Sequence, residues 1–196
     1  MRLYGGPLRL GKGDMRADAR RNYDRLLAVA HTVFAEQGTN ASLEEVARRA
    51  EVGIGTLYRH FPTRDALLEA LLNAGFTTLR DKAEALLDSP SPRQALAEWL
   101  SHFAAGSATY RGLAGSVLAT AQEEGSPLYE SCHGMTAAGA RLVIRAQERG
   151  DLRTDVNPMD VLALAGAVAW VAEQIPADED LPARLLGLVM DALTRV

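Results

Sequence analysis

Three features of the sequence predict an all-α fold built as a small N-terminal domain and a larger C-terminal one. Apolar residues recur at spacings of three and four from about Asp18 to the last residues, the period of an amphipathic helix. Breakers cut that pattern into helix-length pieces: Gly38, Pro62, Ser89-Pro90-Ser91-Pro92, Gly125, Gly150 and Asn157-Pro158. The charges also sort by position: up to Arg64 there are eleven basic and seven acidic residues, and beyond it ten basic and eighteen acidic. A basic front on an acidic body suits a domain that approaches phosphates. At 196 residues, 47% hydrophobic, the chain can build one large core or two modest ones. The boundaries read as an arm over 1–18, a helix-turn-helix domain over 19–78, and a second helical domain over 79–196.

Residues 1–18 hold Gly5-Gly6-Pro7, Gly11, Gly13 and several arginines without periodicity. They predict a flexible basic arm, either lying along DNA phosphates or preceding a true start at Met15. A helix follows from about Asp18 to Gln37, carrying Leu26, Leu27, Val29, Ala30, Val33 and Phe34, with Gly38 as its C-terminal cap. His31 on this helix reads as structural or solvated.

Ser42 to Phe61 reads as two short helices across a tight turn. In the first, Leu43, Val46, Ala47 and Ala50 make one apolar face, and Ser42 with Glu45 forms a capping box. In the second, Ile54, Leu57 and Phe61 face inward, leaving Gly55, Thr56, Arg59 and His60 outside and Tyr58 at the boundary. That outer face is small, hydroxylated and cationic and holds no carboxylate, which suits the major groove of DNA. Thr63 caps the next helix, Asp65 favours its first turn, and a stripe from Leu67 to Leu86 makes it a long connector between the domains.

Beyond the prolines the sequence predicts a helix with Leu96, Trp99, Leu100 and Phe103 ending near Gly106. Another, with Tyr110, Leu113, Val117 and Leu118, ends by Gly125, and a third runs from about Pro127 to Gly150. Asn157-Pro158 caps and starts the next. Its run Val161 to Ala172 is apolar all round, and the last helix, about Leu181 to Thr194, is similarly rich in leucine. Two adjacent helices with more apolar surface than one subunit can bury predict a four-helix interface between two copies. No apolar run reaches the roughly 20 residues of a membrane span and none resembles a signal peptide, so a soluble cytoplasmic protein is expected.

Thr56-Leu57-Tyr58-Arg59-His60-Phe61 followed by Thr63-Arg64-Asp65-Ala66-Leu67-Leu68, with the apolar stretch Leu26 to Phe34 ahead of it, resembles the DNA-binding motif of the TetR family of transcriptional regulators. The resemblance covers about residues 20–75. Two departures stand out: Glu51 where the turn usually has Gly, which would put a non-Gly residue in a left-handed conformation, and Gly53 where a Ser or Thr cap is commoner.

The resemblance implies a homodimeric repressor reading double-stranded operator DNA and released by a small-molecule effector, its last two helices forming the dimer. Gly55 and Thr56 would approach base edges, Thr56 offering its hydroxyl or its methyl to thymine; Tyr58, His60 and Arg64 would hold phosphates; Arg59 would read guanine or hold phosphate. Ser42 and Ile54 complete that candidate set, while Glu44 reads as reinforcing the cap. An effector pocket is implied among the C-terminal helices, with Trp99, Phe103, Tyr110, Met135, Trp170 and Glu173 as candidate lining; for the aromatics, ordinary core packing is an equal reading.

An enzyme finds little support. Gly53-x-Gly55 lacks a preceding strand and a third glycine, and no Gly-x-Ser-x-Gly elbow, Walker loop or zinc signature occurs. Cys132, the single cysteine, is followed by His133 with no second cluster, so neither metal nor cofactor is expected. A non-DNA-binding helical interaction protein is the remaining alternative, and it leaves the basic front unexplained.

Overall fold

The computed structural model describes residues 12–108, 120–175 and 177–194. Eight helices lie among them: α1 Lys12–Gln37, α2 Leu43–Arg49, α3 Ile54–His60, α4 Arg64–Leu86, α5 Pro92–Ala108, α6 Pro127–Glu148, α7 Pro158–Gln174 and α8 Leu181–Leu193. Strand pairing among the described residues is confined to an isolated bridge between Leu152 and Thr194. The helix expected around Tyr110 to Leu118 lies outside the described residues.

The first helix starts earlier than its apolar stripe. Residues 12–18, expected as part of a flexible arm, are helical. The ion pairs Asp18–Arg21 and Arg20–Asp24 at i,i+3 and i,i+4 support the helix ahead of its apolar stripe. Among the described side chains full apolar burial begins at Leu26, which with Ala30, Val33 and Phe34 is sealed against α2 and α4.

Two cores organise the chain. The N-terminal one joins Leu26 and Phe34 to Val46, Ala50, Leu57, Phe61 and Leu67. The C-terminal one centres on Trp99, with Leu142, Val143, Val161, Ala165 and Leu186 around it. Trp99 is fully buried because its one polar atom is satisfied: Nε1–H donates to the Leu79 carbonyl at 2.8 Å. Gly139 makes room for it, since a Cβ there would stand 2.3 Å from the indole.

The connector α4 runs from one core into the other, contributing Leu67, Leu68, Leu71 and Leu72 to the first and Ala83 to the second. Among the described residues, one buried residue crosses the expected boundary in the opposite direction, with partly buried Ala121 packed on the same core. Leu128, in the first turn of α6, is 3% exposed and belongs to the N-terminal core. Beside it the Thr120 hydroxyl donates to the Glu69 carboxylate on α4 at 3.2 Å.

α7 is not buried on every side within one chain. Val161, Leu162, Ala165, Val168 and Ala169 are buried, while Met159, Leu164 and Trp170 are exposed. On α8, Leu186, Met190 and Leu193 face inward and Leu188 is 66% exposed. No described helix is long and apolar enough to cross a membrane.

Candidate nucleic-acid interface

The turn that aims α3 is set by three residues. Ala50 closes α2 through its N–H to the Val46 carbonyl. Glu51 then takes φ 55°, the left-handed conformation expected for this non-Gly residue, and the Val52 N–H bonds back to the Ala47 carbonyl. Gly53 caps α3 with extended backbone and no side-chain bond. Both sequence departures therefore keep the turn intact.

At the start of α2, half of the expected capping box forms. Ser42 Oγ accepts from the Glu44 and Glu45 N–H groups, but Glu45 does not reach back. Its carboxylate takes bonds from Arg48 and Arg49 instead, which hold it down at a pKa of about 2, the Arg48 bond contributing most. Arg49 also reaches Glu36 on α1 at 2.7 Å. Glu44 accepts from the Ser42 hydroxyl at 2.6 Å, which lowers its pKa and ties it to the cap, as expected. Ser42 is exposed, but its hydroxyl is engaged with its own helix.

Helix α3 is anchored by one fully buried residue, Leu57, with Phe61 sealing its end. Everything else on it is exposed or partly so. Ile54, expected to face inward, is 37% exposed: it occupies the first helical position, where the turn has not yet brought α2 over it. Gly53 and Gly55 border open space, and a Cβ on either would meet nothing within 4 Å. Tyr58 stands 45% exposed. Arg59 lies back along the helix, Nε–H to the Gly55 carbonyl at 3.1 Å and Nη2–H to Thr56 Oγ1 at 2.8 Å.

Two residues expected to hold phosphates are turned partly inward. Arg64 donates from Nη1 to the carbonyls of Thr39 and Ala41, both at 2.7 Å, and so pins the loop between α1 and α2. Those carbonyls leave the helical ladder and need donors, a demand that local sequence spacing does not display. His60 is half-buried, with its ring 6.0 Å from Tyr23 in an edge-on arrangement. The surface left for a partner is thus the strip Gly53, Ile54, Gly55, Thr56, Tyr58 and Arg59.

Of the six residues expected around an effector, three of the four described ones, Trp99, Phe103 and Met135, share the C-terminal core, and Trp170 stands apart from them. Trp99 and Met135 are core residues; Phe103 stacks on Trp99 at 5.5 Å and is partly buried. Trp170, at 63% exposure, points away from the domain's core. Tyr110 and the Glu173 side chain lie outside the described residues. A shallow groove does open between α5 and α8, lined by Arg93, Ala97, Leu100, Leu186, Met190 and Asp191, with none of the four described candidates among its described lining. Cys132 is partly buried, which raises its thiol pKa, and no cluster of three metal-ligating side chains occurs among the described residues.

A short helix held proud by a partner helix across a tight turn, presenting glycines, a hydroxyl, a tyrosine and an arginine, is the working part of a helix-turn-helix transcriptional regulator. Residues 26–71 match the family described as bacterial regulatory proteins, tetR family, and residues 91–195 match the C-terminal domain of the SbtR-like transcriptional regulators. The chain belongs to the TetR family. It is similar to a TetR transcriptional regulator from Streptomyces coelicolor, 35% identical over 89% of this chain and 99% of that one, with a TM-score of 0.72. A TetR regulatory protein from Mycobacterium vanbaalenii is 30% identical over 92% and 99%, with a TM-score of 0.68. An HTH-type transcriptional regulator of Staphylococcus aureus is 43% identical over 54 residues, and that match spans 27% of this chain and 29% of the relative. The protein is a regulator and not an enzyme.

Proposed function

We propose that the chain is a repressor that binds an inverted-repeat operator as a homodimer in the cytoplasm and leaves it when a small molecule binds the C-terminal domain. The observation that carries this reading is the apolar surface on the last two helices. Met159, Leu164 and Trp170 on α7 and Leu188 on α8 are all exposed in the single chain. Large apolar side chains left exposed on two packed helices favour association, and a two-fold pairing there would give each dimer two α3 helices, matching two inverted half-sites.

Release would run through α4. An effector seated beside Phe103, the partly buried member of the Trp99 stack, would press on α5 and α7. Because α4 and Leu128 tie that domain to the N-terminal core, a shift there would change the spacing of the two α3 helices. Only a ligand that binds one spacing better than the other can move the equilibrium.

The test is a band shift with the DNA flanking the chain's own gene, paired with sedimentation. Wild type should sediment as a dimer and retard the fragment. A Leu164→Asp, Leu188→Asp variant should sediment as a monomer and lose retardation. A dimer that survives both substitutions would refute the interface.

A further inference from the structure

The outer face of α3 carries one internal hydrogen-bonded pair, and it limits what that face can recognise. Arg59 Nη2–H donates to Thr56 Oγ1 at 2.8 Å, while its Nε–H is held by the Gly55 carbonyl at 3.1 Å. The guanidinium therefore occupies a lone pair of the Thr56 hydroxyl and directs the O–H away from itself. Its charge also opposes the approach of any second donor to that oxygen. Among the described residues the Thr56 O–H and Arg59 Nη1 have no acceptor. The carboxylates of α2 do not compete, because Glu44 is engaged by Ser42 and Glu45 by Arg48 and Arg49. Gly53 and Gly55 leave the approach open. Two donors thus stand side by side, with no acceptor offered beside them.

Resting on the operator-binding reading above, we infer that Thr56 and Arg59 act as one unit that selects guanine in each half-site, its O6 and N7 accepting from the Thr56 hydroxyl and the free Arg59 N–H groups. Guanine alone presents two major-groove acceptors on one base; adenine pairs its N7 with an amino donor, cytosine offers a donor, and thymine one acceptor beside a methyl group. Arg59 is then both a reader and the positioning residue for Thr56, so the two should fail together.

The experiment selects duplexes bound by the full-length chain from a randomised double-stranded pool. Wild type should enrich an inverted repeat with one strongly preferred guanine per half-site. Thr56→Val and Arg59→Ala should each relax preference at that same position by roughly tenfold, and the double variant should lose little more than the worse single one. Thr56→Ser, which keeps the hydroxyl, should retain the preference. Replacing that guanine with 7-deazaguanine should weaken wild type and leave Arg59→Ala nearly unaffected. Relaxation at two different positions, additive losses, or an enriched repeat with cytosine or adenine there would overturn the unit while leaving operator binding intact. A pool that yields no enriched duplex would instead sink the operator reading, and this inference with it.

Discussion

Gly55→Ala separates what the fold requires of α3 from what its partner requires. Gly55 occupies the second helical position, its φ is not positive, and a Cβ there would meet nothing within 4 Å. Nothing inside the protein therefore calls for glycine. Glycine in a helix costs roughly 0.5–1 kcal/mol relative to alanine, and near a helix start the lower figure applies. The variant should be more stable by about 0.5 kcal/mol, a rise of roughly 1–2 °C in Tm for a chain of this size. The same methyl lies on the face that would close on base edges. Two copies per dimer should cost at least about 1.4 kcal/mol of binding, which is tenfold in Kd. Differential scanning calorimetry and fluorescence anisotropy on a labelled operator read the two effects separately. An unchanged Kd, or a lower Tm, would refute the reasoning, because the open space would then serve no partner.

Four other outcomes follow from the geometry. Tyr58→Ala should abolish operator retardation and leave the sedimentation coefficient of the dimer unchanged, since the ring is exposed and seals no core. Leu128→Ala should destabilise the N-terminal core by about 2–5 kcal/mol, seen as earlier loss of the helical signal in urea, although the residue lies in the C-terminal half of the chain. Gly139→Ala should disturb the indole of Trp99 through a contact at 2.3 Å, costing about 1–3 kcal/mol and changing the near-ultraviolet circular dichroism. Glu45 has its pKa lowered from 4.5 to about 2 by Arg48 and Arg49. Its contribution is therefore complete above about pH 4.5 and lost as pH falls towards 2. The stability gap between wild type and Glu45→Gln, measured by urea titration at several pH values, should close over that window; a gap that widens on acidification would contradict the assignment.

The local parts of this fold were legible in the residues. Ser42, Thr63 and Asn157 cap the helices they were expected to cap, and their side-chain oxygens accept from the first-turn N–H groups. Glu51 and Gly53 mark the turn, because backbone conformation there is decided within a few residues. The start of α1 was less plain: the pairs of Asp18, Arg20, Arg21 and Asp24 stand in the sequence, yet an apolar stripe speaks louder than exposed ion pairs. What escaped altogether depends on distant chain segments meeting. Arg64 serves carbonyls 23 and 25 residues away, and Leu128 enters a core formed by residues 26–72. The aromatic candidates for an effector show the same limit. Trp99 and Trp170 have similar helical settings, but one is sealed against Gly139 and the other is exposed, a difference fixed by packing partners and not by spacing.

The strip from Gly53 to Arg59 stands or falls as a DNA-reading surface on the salt dependence of duplex binding. Full-length chain titrated onto its operator at increasing salt should give log K falling linearly with log salt, steeply enough for several phosphate contacts at about 0.9 per phosphate, and Tyr58→Ala should remove binding at every salt concentration. Affinity that ignores salt, or that survives the loss of Tyr58, would contradict the account.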